Sequence, residues 1–397
     1  MQLGLILLLL YLLMFPVTAM VPILRDLTGG RYPDLSEFEQ HLFMSANMLG
    51  ALLFAPIAGL LSDAWGRRKP IIVLAMLVNG LAVWMLVLDW PYAGYLAWRL
   101  LEGCAHISAL SLLMAMASEQ NRGPLASSAT QGIGGTMGLV GAAISLGVAS
   151  GAPLGGLIGR EGAEWVLRLG GSLLLLLGML AALALRESGA GRTRASTGQL
   201  ARALRQNLGL RLPYAFAFVD RLTVGVIVST LSLYLSSQIG MDALQIGLIM
   251  ALFLVPFALL TYPAGLLSRR WNPVRMMFVG SIAYGLTLAA VGLVAPGQIA
   301  WLMFAGGVVA SLMYAPSLVL VAVLALAEQK ALAMGGFNLA GSLGFVLGPL
   351  TGGALVALFS TLQLPAYPLT FILVGLLELL WVALFIPWET TCPADRQ

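Results

Sequence analysis

The chain has 397 residues, of which 59% are hydrophobic and only 10% charged, with a formal net charge of +4. Its mean hydropathy of +0.93 lies far outside the range of soluble domains, in which charged residues make up about a quarter of the chain. This balance excludes a soluble enzyme, and the surplus of cations calls for a topological rather than a nucleic-acid explanation.

Apolar segments between polar breaks predict twelve membrane-spanning helices, at 3–23, 41–62, 70–88, 92–115, 127–159, 165–185, 211–237, 243–267, 274–294, 298–325, 331–360 and 366–388. Such lengths suit helices crossing ~30 Å of hydrocarbon. Alternating barrel-strand patterning is absent. The fifth, tenth and eleventh segments are long enough to tilt. The first has no positively charged residue before its apolar run, so it is read as a span and not as a cleaved signal peptide. The expected fold class is an all-α polytopic membrane protein.

Lys and Arg orient these spans. With the N-terminus inside, fifteen of them fall on the cytoplasmic side, and four (Arg25, Arg31, Arg160 and Arg168) on the other. Both termini are therefore expected in the cytoplasm, in an inner (plasma) membrane of the bacterial type. Cys104 lies in a span and Cys392 in the tail, so no disulfide is expected. The longest polar break carries six arginines between Arg186 and Arg211. It divides the chain into a six-span bundle at 1–186, a basic linker at 187–210 and a second bundle at 211–397.

The two halves repeat each other. "AGLLSDAW" at 58–65 returns as "AGLLSRRW" at 264–271, and "AW" with a glycine five residues on occurs at 97–103 and 300–306. Gly147, Gly151, Gly155 and Gly156 have the spacing of Gly344, Gly348, Gly352 and Gly353. Three matches in one order point to a duplicated six-span unit, an organisation used by transporters with a site between their repeats. These glycines are read as closely packed bundle-interface positions.

Motifs in this frame resemble the major facilitator superfamily, with a lean towards its drug/proton antiporter branch. Gly59, Leu61, Asp63, Gly66, Arg67, Arg68 and Lys69 follow the superfamily's signature between spans two and three. Arg99, Glu102 and Gly103 follow the branch's fourth-span signature, with Glu in place of the usual Gln. The antiporter motif of span five is displaced, with Pro153 one place late, and its intact form, "GFVLGPLTGG", stands at 344–353 in span eleven. The resemblance implies two pseudo-symmetric six-helix bundles working by alternating access. It also implies a latch at Gly59, Asp63, Gly66, Arg67 and Arg68, in which Asp63 faces the positive end of a helix.

Ionisable residues within spans cost ~2.5–3.5 kcal/mol on insertion scales, so each needs a partner or a function. Arg99, Glu102 and His106 share one face of span four. Arg99 and Glu102 correspond to Leu302 and Ala305 in the second half, so the repeated scaffold does not require them. Glu102, Arg99, Asp220 and His106 are the candidates for proton coupling, a static Arg99–Glu102 ion pair being the alternative. Arg221, Tyr234, Tyr314 and Asn338 are candidates for the substrate cavity. Glu378 reads as an intrabundle hydrogen-bonding residue. The chain shows no phosphate loop, no metal-ligand cluster and no nucleophile–base set. Cofactors are therefore not expected, and the energy source is a proton gradient. The expected partners are protons, a small-molecule substrate and the lipid bilayer, not nucleic acid, with the protein a monomer. Efflux of an amphipathic compound leads this reading. Uptake of an organic metabolite and a non-transporting sensor on the same scaffold are its alternatives.

Overall fold

Within hydrocarbon every backbone polar group must find its partner inside its own segment, and this chain does so with helices. The computed structural model of the protein describes residues 2–119, 129–187, 208–268, 270–325 and 330–389. The first six helices are α1 (Gln2–Ala19), α2 (Glu37–Trp65), α3 (Lys69–Met85), α4 (Tyr92–Glu119), α5 (Ala129–Gly159) and α6 (Ala163–Ala184). They are followed by α7 (Arg211–Ser237), then α8 (Ala243–Leu267), α9 (Pro273–Val291), α10 (Ile299–Leu324), α11 (Lys330–Thr361) and α12 (Ala366–Glu389). Among the described residues eleven of these are long and apolar enough to cross a membrane, and α3, the twelfth, is a shorter apolar helix of 17 residues. The all-α polytopic fold expected from composition is the observed one.

Helix starts carry a sign of duplication beyond the motifs. Ser36 and Glu39 form a capping box before α2: the Ser36 N–H donates to Glu39 Oε2 at 2.8 Å, and the Glu39 N–H donates to Ser36 Oγ at 3.3 Å. Asp242 and Gln245 form another before α8, with the Gln245 N–H to Asp242 Oδ1 at 2.8 Å and the Asp242 N–H to Gln245 Oε1 at 3.0 Å. Each box satisfies two otherwise unpaired donors at a helix N-terminus. The separation between the boxes is that of the two "AGLLS" copies.

Contacts divide the chain into two compact units. The first holds Met1–Asp34, Ala46–Thr193 and Met241–Ala251; the second holds Leu35–Ser45, Arg194–Gly240 and Leu252–Gln397. The start of α2 thus belongs to the second unit and the start of α8 to the first. Most of the expected linker, 187–210, lies outside the described residues.

Inside the first unit α1 packs on α5, and α3 packs on α4 and α6; inside the second, α7 packs on α11, and α9 packs on α10 and α12. The same pairings recur in the same order. Small residues allow these close approaches. Gly147, Gly151 and Gly155 press against Tyr11, Phe15 and Ala19 of α1, whereas Gly344 and Gly348 press against Phe218 and Leu222, and Gly352 against Thr230, all in α7. Each of these six glycines meets a helix of its own unit.

The turn after α3 is held by Arg31. Its guanidinium donates to the Leu86, Val87 and Leu88 carbonyls at 2.7, 3.1 and 2.6 Å and to Asp89 Oδ1 at 2.7 Å. It also lies over the Tyr95 ring, 5.2 Å from the centroid. Three carbonyls of the turn that follows the helix are thereby satisfied by one planar fork. Arg31→Ala is expected to lower stability by about 2 kcal/mol, the range of a hydrogen bond to a charged group. Arg31→Lys should recover little, because an ammonium cannot span three carbonyls. Thermal unfolding in detergent measures both, and equal stability of all three proteins would refute the cap.

Candidate functional site

The first charged cluster is built on α4. Arg99 and Glu102, three residues apart on one helix face, form an ion pair through Nη1 and Oε2, and their side chains are 0% and 1% exposed. Asn47 of α2 donates its Nδ2–H to the same carboxylate oxygen at 2.9 Å. Arg99 Nη1 also lies 3.2 Å from Met20 Sδ. Glycines bring these helices together: Gly103 lies against the Asn47 backbone, and Gly50 against Leu100 and Cys104. His106, one turn beyond Glu102, is buried, and its Nδ1 has no hydrogen-bond partner.

This arrangement has two charge states. With Glu102 ionised, the pair is neutral and the carboxylate accepts from both the guanidinium and the Asn47 amide. With Glu102 protonated, the attraction to Arg99 is lost and a buried cation stands without its counter-charge. Asn47 escaped sequence reading, although a lone amide three residues before a glycine in an apolar span is a signal for a polar inter-helix contact.

The second cluster is on α7, the most buried of the spanning helices. Asp220 and Arg221 are adjacent and point to different neighbours. The Arg221 guanidinium lies over three aromatic rings, with its Cζ 5.5, 5.4 and 5.8 Å from the centroids of Tyr314, Phe337 and Phe345. Its Nη2 is 3.4 Å from Tyr314 Oη, and Gly341 leaves the space that its head group occupies. No carboxylate lies within ion-pair distance of Arg221 among the described residues. Phe257 adds its ring to this group, 5.6 Å from Tyr314. Asp220 instead turns towards Ser281 of α9 and Glu378 of α12.

Other expected cavity residues lie apart from Arg221. Tyr234 stacks on Tyr367 at 5.4 Å and meets Phe371 at 5.8 Å, and Asn338 is exposed on α11. Between Asp220 and Tyr234, α7 contains a π-helical turn at Ile227–Leu231, a feature that recurs at functional sites. Thr230 of this turn pairs with His41 Nε2 at 3.0 Å, while His41 Nδ1 is 2.7 Å from the Glu37 carbonyl. The carbonyl can only accept, so Nδ1 carries the proton and Nε2 accepts from the Thr230 hydroxyl. His41 was not singled out from the sequence.

The latch residues occupy the turn after α2. Gly66 has φ +64° and its N–H donates to the Ser62 carbonyl at 2.9 Å, a left-handed helix stop that favours glycine. Gly59 has open space around it. Arg67 is exposed and Arg68 buried. The Arg68 N–H donates to Glu187 Oε1 at 2.7 Å, placing a carboxylate at the N-terminus of α3, where the helix dipole favours it. The Asp63 side chain lies outside the described residues.

Comparison with known proteins agrees with the fold and the repeat. The family model "Major Facilitator Superfamily" matches residues 3–219 and again 214–395. A 3-(3-hydroxy-phenyl)propionate transporter of Escherichia coli is 29% identical over 344 residues, covering 82% of this chain and 79% of its own. The crystal structure of the nucleoside transporter NupG superposes with a TM-score of 0.78 at 16% identity, covering 98% of this chain and 99% of that one. An inward-facing, occupied bacterial homologue of the human lysosomal transporter Spinster gives 0.81 at 13% identity, covering 99% and 96%. These two likenesses concern the fold alone. The chain belongs to the major facilitator superfamily and is a membrane transporter, not an enzyme.

Proposed function

We propose that the protein is a proton-coupled secondary transporter that takes up a small aromatic organic anion by alternating access. The observation that carries this reading is the contrast between its two span arginines. Arg99 is neutralised by Glu102, whereas Arg221 has no carboxylate partner among the described residues and is held by aromatic faces. An arginine so placed suits a carboxylate, which its planar fork can bind through two parallel hydrogen bonds, and the surrounding rings suit an aromatic body. The E. coli relative is named for a substrate of this class.

Direction follows from electrostatics. Antiport needs the binding of substrate and of proton to oppose each other, as an organic cation and a proton do when they compete for one carboxylate. An anion and a proton bind different groups and reduce each other's charge, so their binding is mutually favourable and they travel together. The inward proton gradient then drives uptake. Glu102, with Arg99, His106 and Asn47 around it, is the coupling group in this reading, and the latch at Gly59–Arg68 serves the conformational exchange. Efflux of an amphipathic cation is the competing reading, and the intact Gly-Pro motif at 344–353 is what favours it.

Proteoliposomes with a pH-sensitive dye inside and a more acidic medium outside separate these readings. 3-(3-Hydroxyphenyl)propionate is expected to acidify the interior faster than in protein-free vesicles. Arg221→Gln should raise the half-saturating concentration about 10- to 100-fold, the equivalent of one or two charge-assisted hydrogen bonds. Arg221→Lys should fall between. Proton movement triggered by a lipophilic cation and not by the anion would overturn the assignment in favour of efflux.

A further inference from the structure

The most heavily buried acids that the transport reading leaves without a role are Asp220 and Glu378, 2% and 0% exposed. Both lie in the second unit. Glu378 is fixed by the contact of α9 with α12: a Cβ on Gly285 would stand 3.0 Å from the Gly375 carbonyl oxygen and 3.1 Å from Glu378 Cβ. The two carboxyl groups face each other, with the Ser281 hydroxyl beside both and Thr223 beside Glu378. Tyr284 stands next to the pair.

The donors in this pocket do not suffice for two carboxylates. All four carboxyl oxygens are shut off from solvent and lack a hydrogen-bond partner. The Thr223 hydroxyl is already committed to the Val219 and Asp220 carbonyls at 3.1 and 2.9 Å. That leaves one hydroxyl each on Ser281 and Tyr284, neither with a partner of its own. The neighbouring charge, Arg221, is turned to its aromatic rings and bonds neither acid. Two adjacent ionised carboxylates without a cation in contact are strongly disfavoured in such a place. One added proton turns one acid into a donor for the other, removes their repulsion, and leaves Ser281 and Tyr284 to serve the remaining oxygens.

The repeat isolates this site further. Gly147 and Gly344 press against Tyr11 and Phe218 in the paired helices, and Gly80 and Gly171 correspond to Gly285 and Gly375. On these registers Asp220 corresponds to Leu13 and Glu378 to Leu174, both buried leucines. The scaffold therefore closes with apolar side chains at the same two places, and the acids are an addition specific to the second repeat.

We propose that Asp220 and Glu378 form a proton-binding site in which the two carboxyl groups hold one proton between them. The charged and titratable groups around it are Arg221 on α7 and Tyr284 on α9. Among the described residues of α10 and α11, the other helices packed on α7, no charged group reaches it. This site is separate from Glu102, and its existence does not depend on which substrate is carried.

Infrared difference spectroscopy of the protein in lipid nanodiscs, between H2O and D2O, reads a protonated carboxyl directly. The measurement is made in the Glu102→Gln background, so that Glu102 contributes nothing. A deuterium-sensitive carboxylic C=O band is expected at neutral pH. It should be lost in Asp220→Asn and in Glu378→Gln, because the new amide N–H donates to the remaining acid as the shared proton did. Asp220→Leu with Glu378→Leu, which restores the apolar character of the first repeat, should fold and also lack the band. Absence of the band before these changes, or its survival in the double-leucine variant, would overturn the proposal.

Discussion

Glu102→Gln is expected to leave a folded protein that binds substrate and exchanges it across the membrane, but that no longer couples this to proton movement. The glutamine carbonyl can still accept from Arg99, so the packing of α4 against α2 survives while the titrating group is gone. Substrate accumulation driven by a pH gradient should fall to the protein-free level, whereas counterflow, which needs no net proton transfer, should persist. Retained acidification in the dye-loaded vesicles would demote the pair to structure. Glu102→Ala is a different experiment, because it leaves the fully buried Arg99 without its hydrogen-bond acceptor as well as without its counter-charge. Removing one partner of a buried pair costs about 3–5 kcal/mol, much of it the penalty of the charge left behind. Replacing both, Arg99→Leu with Glu102→Ala, introduces the residues found at the corresponding positions of the second half, Leu302 and Ala305. It should recover most of that loss while abolishing coupling. A double-mutant cycle on thermal stability then separates the energy of the pair from the cost of either orphan.

Gly103→Ala should be among the most damaging single-methyl changes in the protein. The added Cβ would overlap the Asn47 backbone carbonyl, and a carbonyl in a helix cannot move aside as the end of a side chain can. Overpacking typically costs ~1–3 kcal/mol, and here it also forces α2 away from α4 and draws the Asn47 amide off Glu102. Stability and coupling should therefore fall together. Gly141→Ala is the control, since nothing stands within 4 Å of a Cβ there and alanine in a helix interior gains roughly 0.5–1 kcal/mol over glycine. Equal thermal stability of the two variants would show that the close approach at Gly103 relaxes without consequence.

Much of this molecule was legible before its structure. Lengths and polar breaks located the spans because a helix crossing hydrocarbon must be long and apolar whatever its neighbours are. Duplication was visible in "AGLLS", and the Ser36–Glu39 and Asp242–Gln245 boxes carried the same offset unread. Arg99 and Glu102 were found because partners three residues apart on one helix meet by the geometry of that helix alone.

What crosses from one helix to another was decided only by the tertiary structure. Asn47 reaches Glu102, Glu378 faces Asp220, and three aromatic rings surround Arg221 because of how each helix is rotated and where it is set along its neighbour. In a soluble protein the apolar stripe of a helix announces that rotation. Here the lipid-facing side is as apolar as the packed side, so hydrophobic periodicity carries little of it. The glycines allow close approach without naming the partner, as Gly147, Gly151 and Gly155 show by meeting α1 inside their own unit. By itself the sequence determined a duplicated twelve-span protein with charge in α4, α7 and α12. Which of those charges are neutralised, which share a pocket and which stands without a counter-charge among the described residues came from the packing.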